Sequence, residues 1–243
     1  MEGVHVMAGE GCDRLKESLL ASSRELLPLL RKLIPDDSWP GKGKATFDRE
    51  TLARLVEARL DGDLKQFENT SEKMDGTPPS VLFTIVDAIA GPVLAALAGR
   101  LDESFSRGRW NQGTCPFCGS LPSIGFLSRR DPNDLEHLVG GGGKKHLHCS
   151  LCSLEWEYRR DTCPACGNTD QKTREIFFVD GAKHERIEAC HQCGTYGLCI
   201  DLRECELVPQ LDAAQMGLMH LDMIAQERSL TPMAPTTWNS FKP

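Results

Sequence analysis

A formal charge of −7 over 243 residues, divided as −4 in residues 1–108, −1 in 109–205 and −2 in 206–243, leaves no basic segment to follow a phosphate backbone. That length suffices for one large or two modest domains, the hydrophobic content of 40% reads as globular, and eleven cysteines are many for such a chain. The N-terminal "MEGVHVMAGEGCDRLKESLL" has no basic stretch leading into an apolar run, so neither secretion nor a disulfide framework is expected.

The first predicted element is a helix over 13–34. Leu15, Leu19, Leu20, Leu26, Leu27, Leu30 and Leu33 recur at three- and four-residue spacing, with a kink or a split expected at Pro28. Residues 34–47, rich in Pro, Gly and Asp, read as a loop. A second helix is predicted over 48–68, with Leu52, Leu55, Val56, Leu60 and Leu64 on one face. "VLFTIVDAIAGPVLAALA" (81–98) is as long as a short membrane span, but Asp87 at its centre would cost about 3 kcal/mol in a bilayer. It is read as a buried, kinked core helix with no stable membrane insertion. A C-terminal helix is predicted over about 209–228, and the proline-containing "TPMAPTTWNSFKP" as an unpacked tail.

Between these lie four Cys-x-x-Cys pairs: Cys115/Cys118, Cys149/Cys152, Cys163/Cys166 and Cys190/Cys193. Such a turn lets two sulfurs bind one ion, and two turns complete a tetrahedral four-sulfur site for Zn2+ or a single iron. The connectors suggest which pairs belong together. "SLEWEYRRDT" (153–162) has no Gly, Pro or Asn, and Leu154, Trp156 and Tyr158 alternate with Glu155, Glu157 and Arg159. That is a strand, and ten extended residues would separate the flanking pairs by about 30 Å.

The other connectors contain turns, among them Asp131-Pro132-Asn133, Gly167-Asn168 and the hairpin dipeptide Asp180-Gly181. The predicted sites are therefore Cys115, Cys118, Cys149 and Cys152, and Cys163, Cys166, Cys190 and Cys193. A cross-braced match, first pair with third and second with fourth, is the alternative. Four thiolates leave a charge of −2 around Zn2+ and −1 around Fe3+, which further disfavours nucleic acid.

His146 and His148 read as strand or outer-shell positions. Trp156 and Tyr158 read mainly as packing between the ribbons and, secondarily, as weak candidates for partner contact. Cys199 and Cys205 read as ordinary thiols, and Gly140 to Gly143 as a loop tip. No nucleophile–base constellation, phosphate loop or carboxylate pair is visible, so no enzymatic activity is expected.

The stretches "CPFCGSLPSIGFL" (115–127) and "HLHCSLCSLEWEYRRDTCPACG" (146–167), with "HLDMIAQERSL" (220–230), closely resemble the formate dehydrogenase accessory proteins of the FdhE family. The likeness is specific over 115–193 and 218–230 and weak over 1–108. The fourth knuckle departs from the family pattern, with Tyr196-Gly197-Leu198 and the additional Cys199 and Cys205 after it.

The resemblance implies an α+β chain in four parts: an N-terminal helical domain (1–108), two tandem rubredoxin-like or zinc-ribbon modules (109–160 and 161–205), and a C-terminal helix and tail (206–243). It also implies a non-enzymatic, chaperone-like maturation factor in the cytoplasm. Its partner would be the catalytic subunit of formate dehydrogenase before export, and its cofactors two metal ions, zinc or iron. A zinc-ribbon nucleic-acid-binding protein and a redox-sensing iron-thiolate protein are the alternatives.

Overall fold

The computed structural model describes residues 4–7, 15–40, 48–74, 77–100, 110–129 and 143–241. Cys12, His137 and Gly140 to Gly142 lie outside them. Four helices come first: α1 (Lys16–Leu33), α2 (Arg49–Asp61), α3 (Leu64–Lys73) and α4 (Pro79–Ala98). Helix α1 runs through Pro28 as one element. The proline is exposed, so the carbonyl it orphans can be hydrated.

The single helix expected over 48–68 is two. Gly62 adopts φ +71° and ends α2, with its N–H on the Ala58 carbonyl, and Asp63 at once caps α3 by accepting from Gln66 N–H at 3.3 Å. This Gly-Asp pair is a stop followed by a start, and it outweighs the continuous leucine spacing.

Helix α4 is long and apolar enough to cross a membrane by length and composition. Here it is the centre of the helical core: Leu82, Phe83, Ile85, Val86, Ile89, Ala90, Leu94 and Ala98 are buried. Asp87 is paired with Arg59 of α2, whose Nε donates to Asp87 Oδ1 at 2.7 Å. The Arg59 side chain is 3% exposed and lies over the Phe83 ring. Its Nη2 also donates to the Ser150 carbonyl and hydroxyl, both at 3.3 Å, inside the second cysteine knuckle. Gly91 brings α4 against the same knuckle: a Cβ there would meet the Leu151 carbonyl oxygen at 3.2 Å.

The strands are β1 (Pro122–Leu127), β2 (Lys145–Cys149), β3 (Glu155–Tyr158), β4 (Arg174–Val179), β5 (Ala182–Cys190) and β6 (Thr195–Asp201). Each ribbon is a three-stranded antiparallel unit, and the predicted Asp180-Gly181 hairpin joins β4 to β5, with Gly181 at φ +86°. The two units form one sheet, ordered β3-β2-β1-β6-β5-β4, because β1 and β6 pair in parallel with Ile124 opposite Leu198 and Phe126 opposite Ile200.

One face of this sheet carries Ile124, Phe126, Ile187, Tyr196, Leu198 and Ile200 under α5 (Leu211–Gly217) and α6 (Met219–Glu227). The predicted C-terminal helix is broken at Leu218 into these two. On the other face the side chain of Lys145 on β2 reaches Glu188 on β5, an ion pair that spans both ribbons, with Lys145 buried and Glu188 largely covered. Gly125 on β1 makes room beneath it: a Cβ there would lie 3.6 Å from Lys145 Cε.

The tail is packed, contrary to the sequence expectation. Thr231–Pro232 (β7) pairs with Thr195 and Tyr196, continuing along the flank of β6 that β1 occupies only from Leu198 onward. Trp238 Nε1 donates to Asp222 Oδ2 at 2.8 Å, and the same carboxylate accepts from the Tyr196 hydroxyl. Further on, Thr237 meets Thr84 hydroxyl to hydroxyl at 2.9 Å, and Phe241 sits edge-on to Phe83 with ring centroids 5.6 Å apart. Buried hydrogen bonding and aromatic contact hold this segment where its prolines suggested none.

Asp87→Ala leaves the buried Arg59 guanidinium unpaired and is expected to destabilise the protein by about 3 kcal/mol in urea unfolding. The double variant Arg59→Met, Asp87→Ala should recover most of that loss.

Candidate metal centres

All four knuckles follow one local plan. In the first, Cys115 N–H reaches the Ser120 carbonyl at 2.8 Å and Gly119 N–H the Cys115 carbonyl at 3.0 Å. In the third, Cys163 N–H reaches the Asn168 carbonyl and Gly167 N–H the Cys163 carbonyl, both at 2.9 Å. The residue after each second cysteine has positive φ: Gly119 (+79°), Ser153 (+56°), Gly167 (+73°) and Gly194 (+72°). The turn must reverse there, and glycine is the residue that does so without steric cost.

The sulfurs of Cys115, Cys118, Cys149 and Cys152 lie within 4.8 Å of one another, and so do those of Cys163, Cys166, Cys190 and Cys193. In the first cage Cys115 and Cys152, and Cys118 and Cys149, are 3.5 Å apart, and Cys118 and Cys152 3.7 Å. In the second, Cys163 and Cys193 are 3.9 Å apart and Cys166 and Cys190 3.8 Å. A tetrahedron with metal–sulfur bonds of about 2.3 Å has edges of about 3.8 Å, so both cages fit such an ion. The first pair closes with the second and the third with the fourth, as the connector turns indicated. The cross-braced match does not occur.

The environments of the two cages differ. Cys115, Cys118, Cys149 and Cys152 belong to the same apolar cluster as Leu55, Phe83 and Ile89 of the helices, together with Phe117, Leu151 and Trp156. Burial pushes the Cys115 thiol far up, so gathering four thiolates there needs a compensating cation. Backbone N–H groups of Leu151 and Cys152 point at Cys149 Sγ, each at 3.5 Å.

The N-terminal segment covers the first knuckle. Val6 N–H donates to the Pro116 carbonyl at 2.9 Å, Met7 N–H to the Phe117 carbonyl at 3.0 Å, and the His5 ring lies against Gly119. In the second cage Cys166 and Cys193 are exposed. Burial opposes the Cys190 thiolate, but the Asn168 amide and the N–H groups of Cys193 and Gln192 outweigh it and bring its pKa down to about 6.

Trp156 is fully buried and its Nε1 donates to the Gln112 carbonyl at 3.2 Å; Tyr158 is 7% exposed. Both serve the core between ribbon and helices, so neither presents a surface for the partner contact weighed from the sequence. His146 stacks on Phe126 with centroids 5.0 Å apart, and His148 Nε2 pairs with Asp212 Oδ1 at 2.8 Å. They tie β2 to its own sheet and to α5, and their polar bonds go to no thiolate. Cys199 is a buried free thiol beside Glu188, and Cys205 is also free, its Sγ 3.4 Å from the Asp201 carbonyl. The His5 cover has no signature of its own in the sequence. Only Gly119, a glycine following a knuckle, hinted at a tight approach.

A helical bundle with two four-sulfur cages on one sheet defines a ribbon protein of mixed α+β architecture whose cages could hold two metal ions. Residues 114–160 match the family model described as FdhE, central domain. "Protein FdhE homolog" of Aquifex aeolicus is 34% identical over 138 residues, 56% of this chain and 44% of that protein. The homolog of Stutzerimonas stutzeri is 30% identical over 138 residues, 56% of this chain and 41% of that protein. In these matches the chain spans less than half the length of the curated relatives. The crystal structure of the FdhE protein from Pseudomonas aeruginosa shares the fold with TM-score 0.55 and 20% identity, over 94% of this chain and 79% of that one. The ribbon half of the chain carries the sequence likeness to the FdhE proteins.

Gly119→Ala would place a methyl group 2.7 Å from the His5 ring in a backbone region unfavourable to alanine. It is expected to cost about 1–2 kcal/mol and to speed hydrogen exchange at the Val6 and Met7 amides, read by mass spectrometry.

Proposed function

We propose that the eight knuckle cysteines hold two ions, zinc or iron, and that the chain is a non-enzymatic accessory factor. In this reading it binds the catalytic subunit of a formate dehydrogenase in the cytoplasm and supports its assembly before export. The observation that carries the reading is the combination of the FdhE likeness with two cages of tetrahedral sulfur spacing. Zinc and iron both accept four thiolates, and such a closed site has no open position for substrate. The ions would supply rigidity, fixing the knuckles as platforms between the helices and the sheet.

Client contact needs exposed apolar surface. On the C-terminal helices Met216, Met219 and Met223 are exposed at a spacing of three and four residues. Met216 stands on α5 and Met219 and Met223 on α6, the last two four residues apart on one helix. Unbranched, polarizable methionine suits a surface that must adapt to a partly assembled partner.

Metal analysis of the anaerobically purified chain should give two equivalents, falling to one in Cys163→Ser; a single equivalent in the unaltered chain would refute the two-site assignment. Tagged chain should co-purify a formate dehydrogenase catalytic subunit. The triple change of Met216, Met219 and Met223 to Ser should weaken that recovery about tenfold or more with unchanged urea stability, since the side chains already face water.

A further inference from the structure

The two cages share their spacing and knuckle plan, yet the residues between their cysteines differ in kind. In the first cage Pro116, Phe117 and Leu151 are buried, and Phe117 and Leu151 pack into the helical cluster. In the second, Ala165, His191 and Gln192 face water, and so do Cys166 and Cys193 themselves. Residues 4–7 lie over the first knuckle and α4 presses on the second through Gly91. Among the described residues, the cysteines of the second cage join neither apolar cluster.

We infer that the second cage is an exchangeable, thiol-reactive metal site that takes competing soft ligands from solution through Cys166 and Cys193, while the first cage is closed. Ligand exchange at a four-sulfur site needs an approach to the ion or to a sulfur. With an ion bound, Cys166 and Cys193 would be the ligands open to replacement by an incoming thiolate or nitrogen chelator, the displaced sulfur taking a proton from water. The same sulfur can add to a maleimide: the S–C bond forms, the C=C π bond breaks, and its electron pair takes a proton from water. In the first cage either event must wait for Phe117, Leu151 and the N-terminal cover to open, and protection scales with the free energy of that opening. The neighbours of the second cage suit repeated opening. Asn168 Nδ2 donates to Cys190 Sγ at 3.4 Å and the Thr195 hydroxyl meets Cys193 Sγ at 3.0 Å, so small polar groups line it where the first cage has core.

This inference rests on the metal-binding reading of the eight cysteines and not on the identity of the client. The test uses the full chain as isolated with metal, treated with N-ethylmaleimide and the chromogenic chelator pyridylazoresorcinol. Metal release is followed by absorbance and labelling by peptide mapping. One equivalent should leave at least about tenfold faster than the other, with early label on Cys163, Cys166, Cys190 and Cys193 and none on Cys115, Cys118, Cys149 or Cys152. Cys193→Ser should remove the fast equivalent and keep the slow one. A single release rate for both equivalents, or earlier labelling of the first cage, overturns the inference. A chain isolated without metal overturns the metal-binding reading instead, and the order of labelling then still decides whether the second cage is the open one.

Discussion

The fold depends on where the sulfurs of Cys115, Cys118, Cys149 and Cys152 sit: inside the apolar cluster that also holds the cores of α2 and α4. As thiolates they would be poor tenants of such a place, and four together worse. The surrounding structure is organised to make the arrangement tenable. Backbone N–H groups turn toward Cys149, Arg59 ties the second knuckle to Asp87, and Gly91 lets α4 come close enough to exclude water. The ribbon and the helices therefore share a single core, and the central aspartate of α4 is explained by its role in that joint.

From this anchor the structure extends to the second ribbon and its own apolar cluster under the C-terminal helices. The second ribbon is fused to the first by the parallel pairing of β1 with β6 and by the Lys145–Glu188 ion pair across both. Replacing Glu188 alone would strand the buried Lys145 charge, so the pair fixes the relative placement of the ribbons more than it adds stability. The C-terminal segment then returns from β6 to α4 through Trp238, Thr237 and Phe241, closing the chain on the helices where it began. The second cage gathers the same four sulfurs with two of its cysteines, Cys166 and Cys193, exposed.

The features legible in the sequence were local. The alternation around Trp156 and the absence of turn formers identified a strand, which excluded a shared ion between its flanking pairs; Asp180-Gly181 gave a hairpin. Pairing of knuckles followed from chemistry within about 30 residues. What escaped was non-local. The parallel join of β1 and β6 links residues more than 70 positions apart, and no turn signal encodes it. The tail departs from the sequence expectation because its prolines speak only about helix and central strand, while Trp238 and Phe241 depend on Asp222 and Phe83 for their places. The break at Gly62 was written in the sequence, but leucine periodicity on both sides obscured it. The exposure difference between the cages was also present, as Phe117 and Leu151 against Ala165, His191 and Gln192, and it acquires meaning only once the helical core is placed over the first pair.

The claim that the first cage is part of the helical core can be measured directly by hydrogen exchange on metal-loaded protein and on protein stripped of both ions. If the cage and helices form one core, stripping should lower protection in α2 and α4 together with β2 and β3, because the charges gathered beside Phe83 and Ile89 lose their compensation. Full protection of α2 and α4 in the stripped protein, with loss confined to the ribbons, would contradict the account.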